Sequence, residues 1–166
     1  LLGAEGPAID AEIIGVAIAA LARLGLRATD VRVKISHRVA AANVVRALGV
    51  PDESVAGAFE LLDRRDKMAP EEFTKRAAAL GLAGDALARF ETVVRTRVQI
   101  TDDIGVLATT AGIAVDSLAE LVLLRDALVA AGLAEWCEFD LGIVRGLAYY
   151  TGTVFEIHEA SGGERA

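Results

Sequence analysis

The 166 residues suit one domain, or a compact lobe that carries an inserted subdomain. The net charge of −7, from 24 acidic and 17 basic side chains, argues against a main docking surface for nucleic acid, because phosphates repel an acidic chain. No apolar run approaches the roughly 20 residues that cross a bilayer, and the single Cys137 fits a reducing cytoplasm, so we expect a soluble cytoplasmic protein with no membrane contact and no structural zinc.

The first fifty residues predict a helix, a strand and a second helix. We expect Asp10 to cap the first helix, in which apolar residues recur at helical spacing until Gly25. Residues 31–35 alternate apolar and polar side chains, as in a half-buried strand. The second helix is predicted from about Val39 to Leu48. This order of elements predicts the α/β (α+β) fold class.

Residues 51–131 carry helical patterns and no convincing strand. Pro70 stands where a helix begins, Asp85 can cap the next helix, and Ser117 with Glu120 has the spacing of a capping box. A block of helices between two strand-bearing parts predicts an inserted helical subdomain at 51–131. The parts at 1–50 and 132–166 would then form the domain around it.

The last part, 132–166, returns to strand-forming residues. Residues 149–158 are rich in Tyr, Thr, Val, Phe and Ile, which favours a strand, while 136–139 is short and ambiguous. Gly142 and Gly146 indicate a turn or a close approach of the backbone between them.

Arg145 is the residue best suited to bind an anion. A guanidinium beside a glycine can approach a phosphate or carboxylate closely and form two parallel hydrogen bonds. Tyr149 and Tyr150 are adjacent, so on a strand one could line a pocket while the other packs in the core. On these residues alone, a packed strand preceded by a surface arginine is the simpler interpretation.

The string from Arg145 to Glu156, RGLAYYTGTVFE, resembles the histidine-binding signature of the histidine–tRNA ligase family, a class II aminoacyl-tRNA synthetase family. Ala148 stands where many members have aspartate. Three shorter stretches are similar to the family in the same order, at 10–12, 30–38 and 62–67. The resemblance covers almost the whole chain, although its specificity comes mainly from residues 144–156.

The resemblance implies ATP-dependent activation of histidine to histidyl-adenylate, followed by transfer to tRNA(His). It implies that Arg145 is catalytic and contacts the α-phosphate and the histidine carboxylate. Tyr150 would reach the substrate imidazole, and Tyr149 would line the same pocket. The implied substrate-binding residues are completed by Gly146, Leu147, Thr151, Gly152 and Thr153.

The same resemblance implies part of a class II synthetase-like antiparallel sheet with flanking helices, and makes the helical block the family's insertion domain. ATP is the implied substrate and Mg²⁺ is expected, although no Mg²⁺ ligand is identifiable in the sequence. A homodimer is expected of the complete protein. The family's dimer motif, its ATP-binding arginine motifs, its second histidine signature and its anticodon domain are missing, so we expect this chain alone not to aminoacylate.

A rival function is the histidine-binding regulatory subunit of ATP phosphoribosyltransferase, which resembles the synthetase catalytic domain but makes no adenylate. A helical interaction module without catalytic ancestry is a third possibility.

His37 is expected to cap or pack, His158 to be a strand residue and Cys137 to be a small buried apolar residue. The charged run 63–67 is interpreted as a solvated helix end. A contact with the tRNA acceptor arm through the basic residues at 64, 65, 67, 75 and 76 is the less favoured alternative.

Overall fold

A computed structural model describes residues 4–144 and 151–160, without the side chain of Asp66. Its helices and strands follow in chain order: α1 Pro7–Arg23, β1 Val31–His37, α2 Arg38–Ala47, α3 Val55–Arg64, α4 Pro70–Ala79, α5 Asp85–Arg95, β2 Arg97–Gln99, α6 Gly105–Ala111, α7 Ala119–Ala130, β3 Cys137–Asp140 and β4 Thr153–Glu159. Short 3-10 turns lie at Asp52–Ser54, Arg65–Lys67, Val115–Leu118 and Ala134–Trp136. The predicted α/β fold class is confirmed.

The strands within the described ranges form one sheet in the order β2-β3-β1-β4. β4 is antiparallel to β1, and β2 is antiparallel to β3, but β1 and β3 run parallel. Two of the three strand pairs are antiparallel, as expected of part of a synthetase-like antiparallel sheet, and the pairing of β1 with β3 adds one parallel pair. The parallel pair arises because the chain between β1 and β3 passes through the helical block before it returns to the sheet.

The two faces of the sheet differ because side chains alternate along each strand. One face carries Val33 and Ile35 of β1, Phe139 of β3 and Val98 of β2, all buried. Helices α1 and α7 pack against each other and contact the sheet, and α1 meets Thr153 on this apolar face. The other face is polar, and it is where charged groups collect.

The prediction that residues 51–131 contain no strand is wrong. β2 lies inside this range and extends the sheet beyond β3. With three residues, β2 is too short to leave a periodic pattern, and its pairing partner lies about forty residues further along the chain, at Gln99 opposite Glu138. The domain boundaries at 50 and 131 stay a prediction.

Three predicted side-chain caps do not form. α1 begins at Pro7 behind Gly6, three residues before Asp10, because proline at the first helical position is already set for the helix. Ser117 lies in a 3-10 turn and makes no side-chain cap; its carbonyl oxygen accepts a hydrogen bond from the Asn43 amide at 3.0 Å. Asp85 is the first residue of α5, behind Gly84, and α5 has no side-chain cap either.

Candidate functional site

A row of polar side chains crosses the sheet on the face away from α1 and α7. Gln99, Glu138, Lys34 and Glu156 are neighbours in register on β2, β3, β1 and β4. The Gln99 amide donates to the Glu138 carboxylate at 3.0 Å, and Nε2 of His158 lies 2.9 Å from the Glu156 carboxylate. Charged groups of both signs thus lie together on a half-buried surface, where they can bind the polar groups of a substrate.

A turn at residues 140–144 borders this polar face. Asp140, whose side chain is 3% exposed, ends β3 and accepts the backbone N–H of Gly142 at 2.8 Å. Its other oxygen lies 2.7 Å from Nε of Arg97. Burial raises the pKa of Asp140, while the Arg97 guanidinium opposes that rise. The carboxylate is therefore held by a cation on one side and by its own turn on the other.

The turn and the polar row enclose a cavity of about 160 Å³. Its walls include Lys34, Glu156 and His158 from the sheet, Arg65 from the turn after α3, and Val144. Val144 is the residue directly before Arg145, so the residue that precedes the RGLAYYTGTVFE string lies in the wall of this cavity.

Five of the predicted site residues, Arg145, Gly146, Leu147, Tyr149 and Tyr150, lie outside the described residues. The structure describes the other three. Thr151 is exposed, and the carbonyl of Gly152 accepts the Arg38 backbone N–H at 3.0 Å. The hydroxyl of Thr153 donates to the Asp10 carboxylate on α1 at 2.6 Å.

The register of β4 separates Thr153 from the polar row. Thr153 lies opposite His37, on the same face as Ile35, whereas Glu156 lies on the other face. Its hydroxyl therefore holds α1 to the sheet. The predicted strand over 149–158 also begins later than expected, since Thr151 and Gly152 precede β4. The assignment of 151–153 to substrate binding stays a prediction.

His37 has a packing role and forms no side-chain cap on α2. The residue is 7% exposed, and its Nδ1 has no hydrogen-bond partner among the described residues. Burial lowers the pKa of His37, and the nearby carboxylates of Glu120 and Asp10 oppose that change. A Cβ on Gly152 would lie 3.8 Å from Nε2 of His37, so the ring packs beside the segment that leads into β4.

Cys137 and His158 follow the simpler expectations. Cys137 is buried in β3, and burial raises the pKa of its thiol to about 12. A thiol with this pKa is not a nucleophile at neutral pH. His158 is a strand residue on β4, as expected, and it faces the polar cavity.

The charged run 63–67 is only partly a solvated helix end. Arg64 is exposed and lies 3.5 Å from Glu60, and Arg76 similarly pairs with Glu72 at 2.5 Å on α4. Arg65 instead turns inward, where its guanidinium donates to the carbonyl of Val94 at 3.4 Å. The pairing of Arg64 and Arg76 with acids on their own helices weakens the case for a tRNA contact there.

Sequence reasoning missed Arg97, Asp140 and the inward role of Arg65. The alternation around Lys34 could have pointed to a polar sheet face. Arg97, by contrast, lies on a strand that left no pattern, and its importance depends on a partner that is distant in sequence. Within the described ranges, no group of three or more His, Cys, Asp or Glu side chains is arranged to hold a metal ion.

No single helix in the described part of the chain is long and apolar enough to cross a membrane. Two successive helical segments, Gly105–Ala111 and Val115–Ala130, are together long and apolar enough, but the chain bends by 112° between them.

Comparison with solved structures defines the class of protein to which this fold belongs. A structure described as an ATP phosphoribosyltransferase regulatory subunit/histidyl-tRNA synthetase from Bacillus halodurans aligns with a TM-score of 0.74 and 26% identity. The alignment covers 99% of this chain and 42% of that one. The fold is therefore that of a domain found in synthetase-type proteins.

The family model described as histidyl-tRNA synthetase matches residues 1–165. The chain belongs to the histidyl-tRNA synthetase family. The chloroplastic/mitochondrial histidine–tRNA ligase of Arabidopsis thaliana is 31% identical over 166 residues, covering 100% of this chain and 33% of that protein. An ATP phosphoribosyltransferase regulatory subunit of Moorella thermoacetica is 37% identical over 156 residues, covering 94% of this chain and 39% of that protein. The chain thus spans about a third of the length of these curated relatives.

Proposed function

We propose that the complete protein is a histidine–tRNA ligase. It activates histidine with ATP to form histidyl-adenylate and transfers the histidyl group to tRNA(His). The observation that carries the proposal is the RGLAYYTGTVFE string at 145–156, which stands in a chain matched by the family over 1–165. The described residues at its two ends support the proposal, because Val144, directly before the string, lines the polar cavity, and the last four residues of the string, 153–156, open β4.

In this proposal Arg145 is the catalytic residue. The histidine carboxylate attacks the α-phosphorus of ATP and pyrophosphate leaves, so negative charge builds on the phosphorus in the transition state. A fixed guanidinium contributes several kcal/mol at such a point. Arg145 would also orient the histidine carboxylate, because a guanidinium can bind two oxygens at once.

Tyr150 would provide specificity for histidine. Its hydroxyl would pair with the imidazole, and Tyr149 would form another wall of the pocket with Gly146, Leu147 and the segment Thr151-Gly152-Thr153. An amino acid without a matching polar group would leave the buried hydroxyl unpaired, which is a strong basis for rejection. ATP is the co-substrate. Mg²⁺ would neutralise its phosphates, but no described residue is assigned to it, since no metal-binding group is found among them.

We further propose a cytoplasmic homodimer for the complete protein. The single cysteine, the family membership and the preference of soluble oligomers for two-fold symmetry support this proposal.

Histidine-dependent exchange of pyrophosphate into ATP, measured on the full-length gene product, tests the ligase. We expect exchange with histidine and not with other amino acids. Arg145→Lys should lower the exchange rate by about 100-fold or more, because lysine cannot reproduce the two parallel hydrogen bonds. Arg125→Lys is the matched control, since Arg125 pairs with Asp126 on the surface of α7 and should leave the rate unchanged.

A second candidate is a histidine-binding regulatory subunit. The 37% identity to such a subunit from Moorella thermoacetica favours it specifically. Calorimetric titration with histidine separates the candidates, because a regulatory subunit would bind histidine without any pyrophosphate exchange. Tyr150→Phe should weaken histidine binding about tenfold in either case, since it removes one hydrogen bond to the ligand. A full-length protein that shows no histidine binding and no pyrophosphate exchange would overturn both candidates.

A further inference from the structure

The ion pair between Arg97 and Asp140 joins two parts of the chain that are far apart in sequence. Arg97 opens β2 directly after α5, inside the helical block, and Asp140 closes β3 just before the histidine motif. The two residues are register partners across the β2–β3 pairing. Their side chains are 29% and 3% exposed, so the pair is largely removed from water and its geometry is restrained.

Each side of this pair is tied to a separate backbone segment. The Arg97 guanidinium contacts the carboxylate through Nε at 2.7 Å, while Nη1 donates to the carbonyls of Val94 at 3.0 Å and Thr96 at 3.2 Å. The free oxygen of Asp140 accepts the Gly142 N–H at 2.8 Å. The pair therefore connects the C-terminal end of α5 to the turn at 140–144.

Gly142 is the point where these two segments touch. A Cβ at this position would lie 2.3 Å from the carbonyl oxygen of Val94 and 2.8 Å from Nη1 of Arg65. Arg65 also donates to that same carbonyl. The turn thus lies directly against the end of α5, with two guanidinium groups beside it and no space for a side chain.

The turn then passes through Val144 into Arg145, so its position sets where the motif begins. A displacement of about 1 Å in a group that binds a reacting substrate can reduce the rate by about 100-fold. Groups that bind a substrate need support from a second layer of fixed contacts to stay within about 0.5 Å of the productive geometry. Arg97 and Asp140 supply such contacts to the turn at 140–144, which joins β3 to the motif.

We propose that Arg97 and Asp140 are positioning residues for histidine binding, and that they connect the helical block to the histidine site. This inference rests on the proposed function, in that the segment they position is the one assigned to histidine. Neither residue is proposed to touch the substrate. Both act by fixing the turn that precedes Arg145.

Histidine affinity of the full-length gene product, measured by calorimetry, tests the proposal. Asp140→Asn keeps the shape of the side chain but removes its charge, and Arg97→Met keeps the length of the stem but removes all donors. Each should weaken histidine binding by about tenfold, the loss expected when a displaced turn removes one hydrogen bond to the ligand. Arg97→Lys should recover part of the affinity, because its charge can still reach the carboxylate. Arg125→Met is the matched control and should bind as the wild type does.

The double variant Arg97→Met with Asp140→Asn distinguishes a pair from two unrelated residues. We expect it to bind histidine no more weakly than the weaker single variant, because the same connection is already broken there. Additive losses would contradict a shared role. All affinities are compared at a temperature where circular dichroism shows every variant to be folded, so that global unfolding does not enter the comparison.

Amide hydrogen exchange provides a readout that does not require histidine. In Asp140→Asn, exchange should accelerate in peptides covering 140–153 and remain unchanged in α1 and α7. Wild-type affinity in a folded Asp140→Asn, or unchanged exchange at 140–153, would overturn this proposal while leaving the proposed function intact. A wild-type protein that binds no histidine would overturn the proposed function, and the positioning role with it.

Discussion

The hydrogen bond from Thr153 to Asp10 yields a quantitative prediction, because it is short and joins two elements distant in sequence. The Thr153 hydroxyl donates to the Asp10 carboxylate at 2.6 Å, and this bond holds α1 against the start of β4. Thr153→Val replaces the hydroxyl by a methyl group of nearly the same size. The substitution removes the donor while it leaves the packing volume almost unchanged.

A hydrogen bond to a charged group contributes about 1.5–3 kcal/mol when it is buried. Both Thr153 and Asp10 are only half-buried, so water replaces part of the lost interaction. We therefore expect Thr153→Val to lower the free energy of unfolding by about 1–2 kcal/mol. For a domain of this size that corresponds to a fall in melting temperature of roughly 2–8 °C.

Urea unfolding of the 166-residue chain, followed by circular dichroism, measures this loss. Thr74→Val is the matched control, because the Thr74 hydroxyl donates to the carbonyl of Pro70 within its own exposed helix. It should change the free energy of unfolding by less than about 0.5 kcal/mol. Adding Asp10→Asn to Thr153→Val should cost little more than either alone, since the two residues share one interaction. A Thr153→Val variant as stable as the wild type would refute the inference that this bond fixes α1.

Three further predictions concern stability and reactivity. Gly142→Ala should lower the free energy of unfolding by about 2 kcal/mol or more, because its Cβ would lie 2.3 Å from a backbone oxygen; Gly57→Ala, which meets only the flexible end of Leu80, is the control in the same urea titration. Burial holds the pKa of His37 below its usual 6.5, so the stability that the neutral His37 ring contributes is present above pH 6.5 and is lost as pH falls through the lower folded-state pKa. The free energy of unfolding should therefore decline more steeply from pH 7.5 to 5 in the wild type than in His37→Gln. Parallel pH curves for the two proteins would contradict this. Cys137 should react with a thiol reagent at pH 8 only as fast as the protein unfolds, since it is buried with a pKa of about 12; rapid labelling of the folded protein would show that the thiol is accessible.

Local sequence patterns predicted the elements whose formation depends on neighbouring residues. The alternation of residues 31–35 predicted β1, and Pro70 marked the first residue of α4. The general α/β order followed from these patterns. Each of these signals acts within a few residues of the chain, so it can be interpreted without knowledge of the tertiary structure.

The features that sequence could not supply depend on long-range pairing. β2 consists of three residues and is recognised only through its partner β3. Asp10 appeared to be a helix cap, but its carboxylate accepts a hydrogen bond from Thr153, 143 residues away. Arg97 and Asp140 likewise carry no individual signal, because their role is visible only once β2 and β3 lie side by side.

For the candidate site, sequence supplied the identity of the motif and the structure supplied its surroundings. The string from Arg145 to Glu156 suggested the family, which the match over residues 1–165 confirms. The polar row on the sheet and the turn at 140–144 were not predicted as a unit, because their charges come from four strands and are brought together only by the register.

Pyrophosphate exchange by the full-length gene product tests the central claim most directly, with each of the twenty amino acids supplied in turn. We expect exchange that depends on histidine, falls by about 100-fold or more in Arg145→Lys and is unchanged in Arg125→Lys. Exchange that is equally fast with Arg145→Lys, or that another amino acid supports as well as histidine does, would contradict the assignment of residues 145–153 to histidine activation.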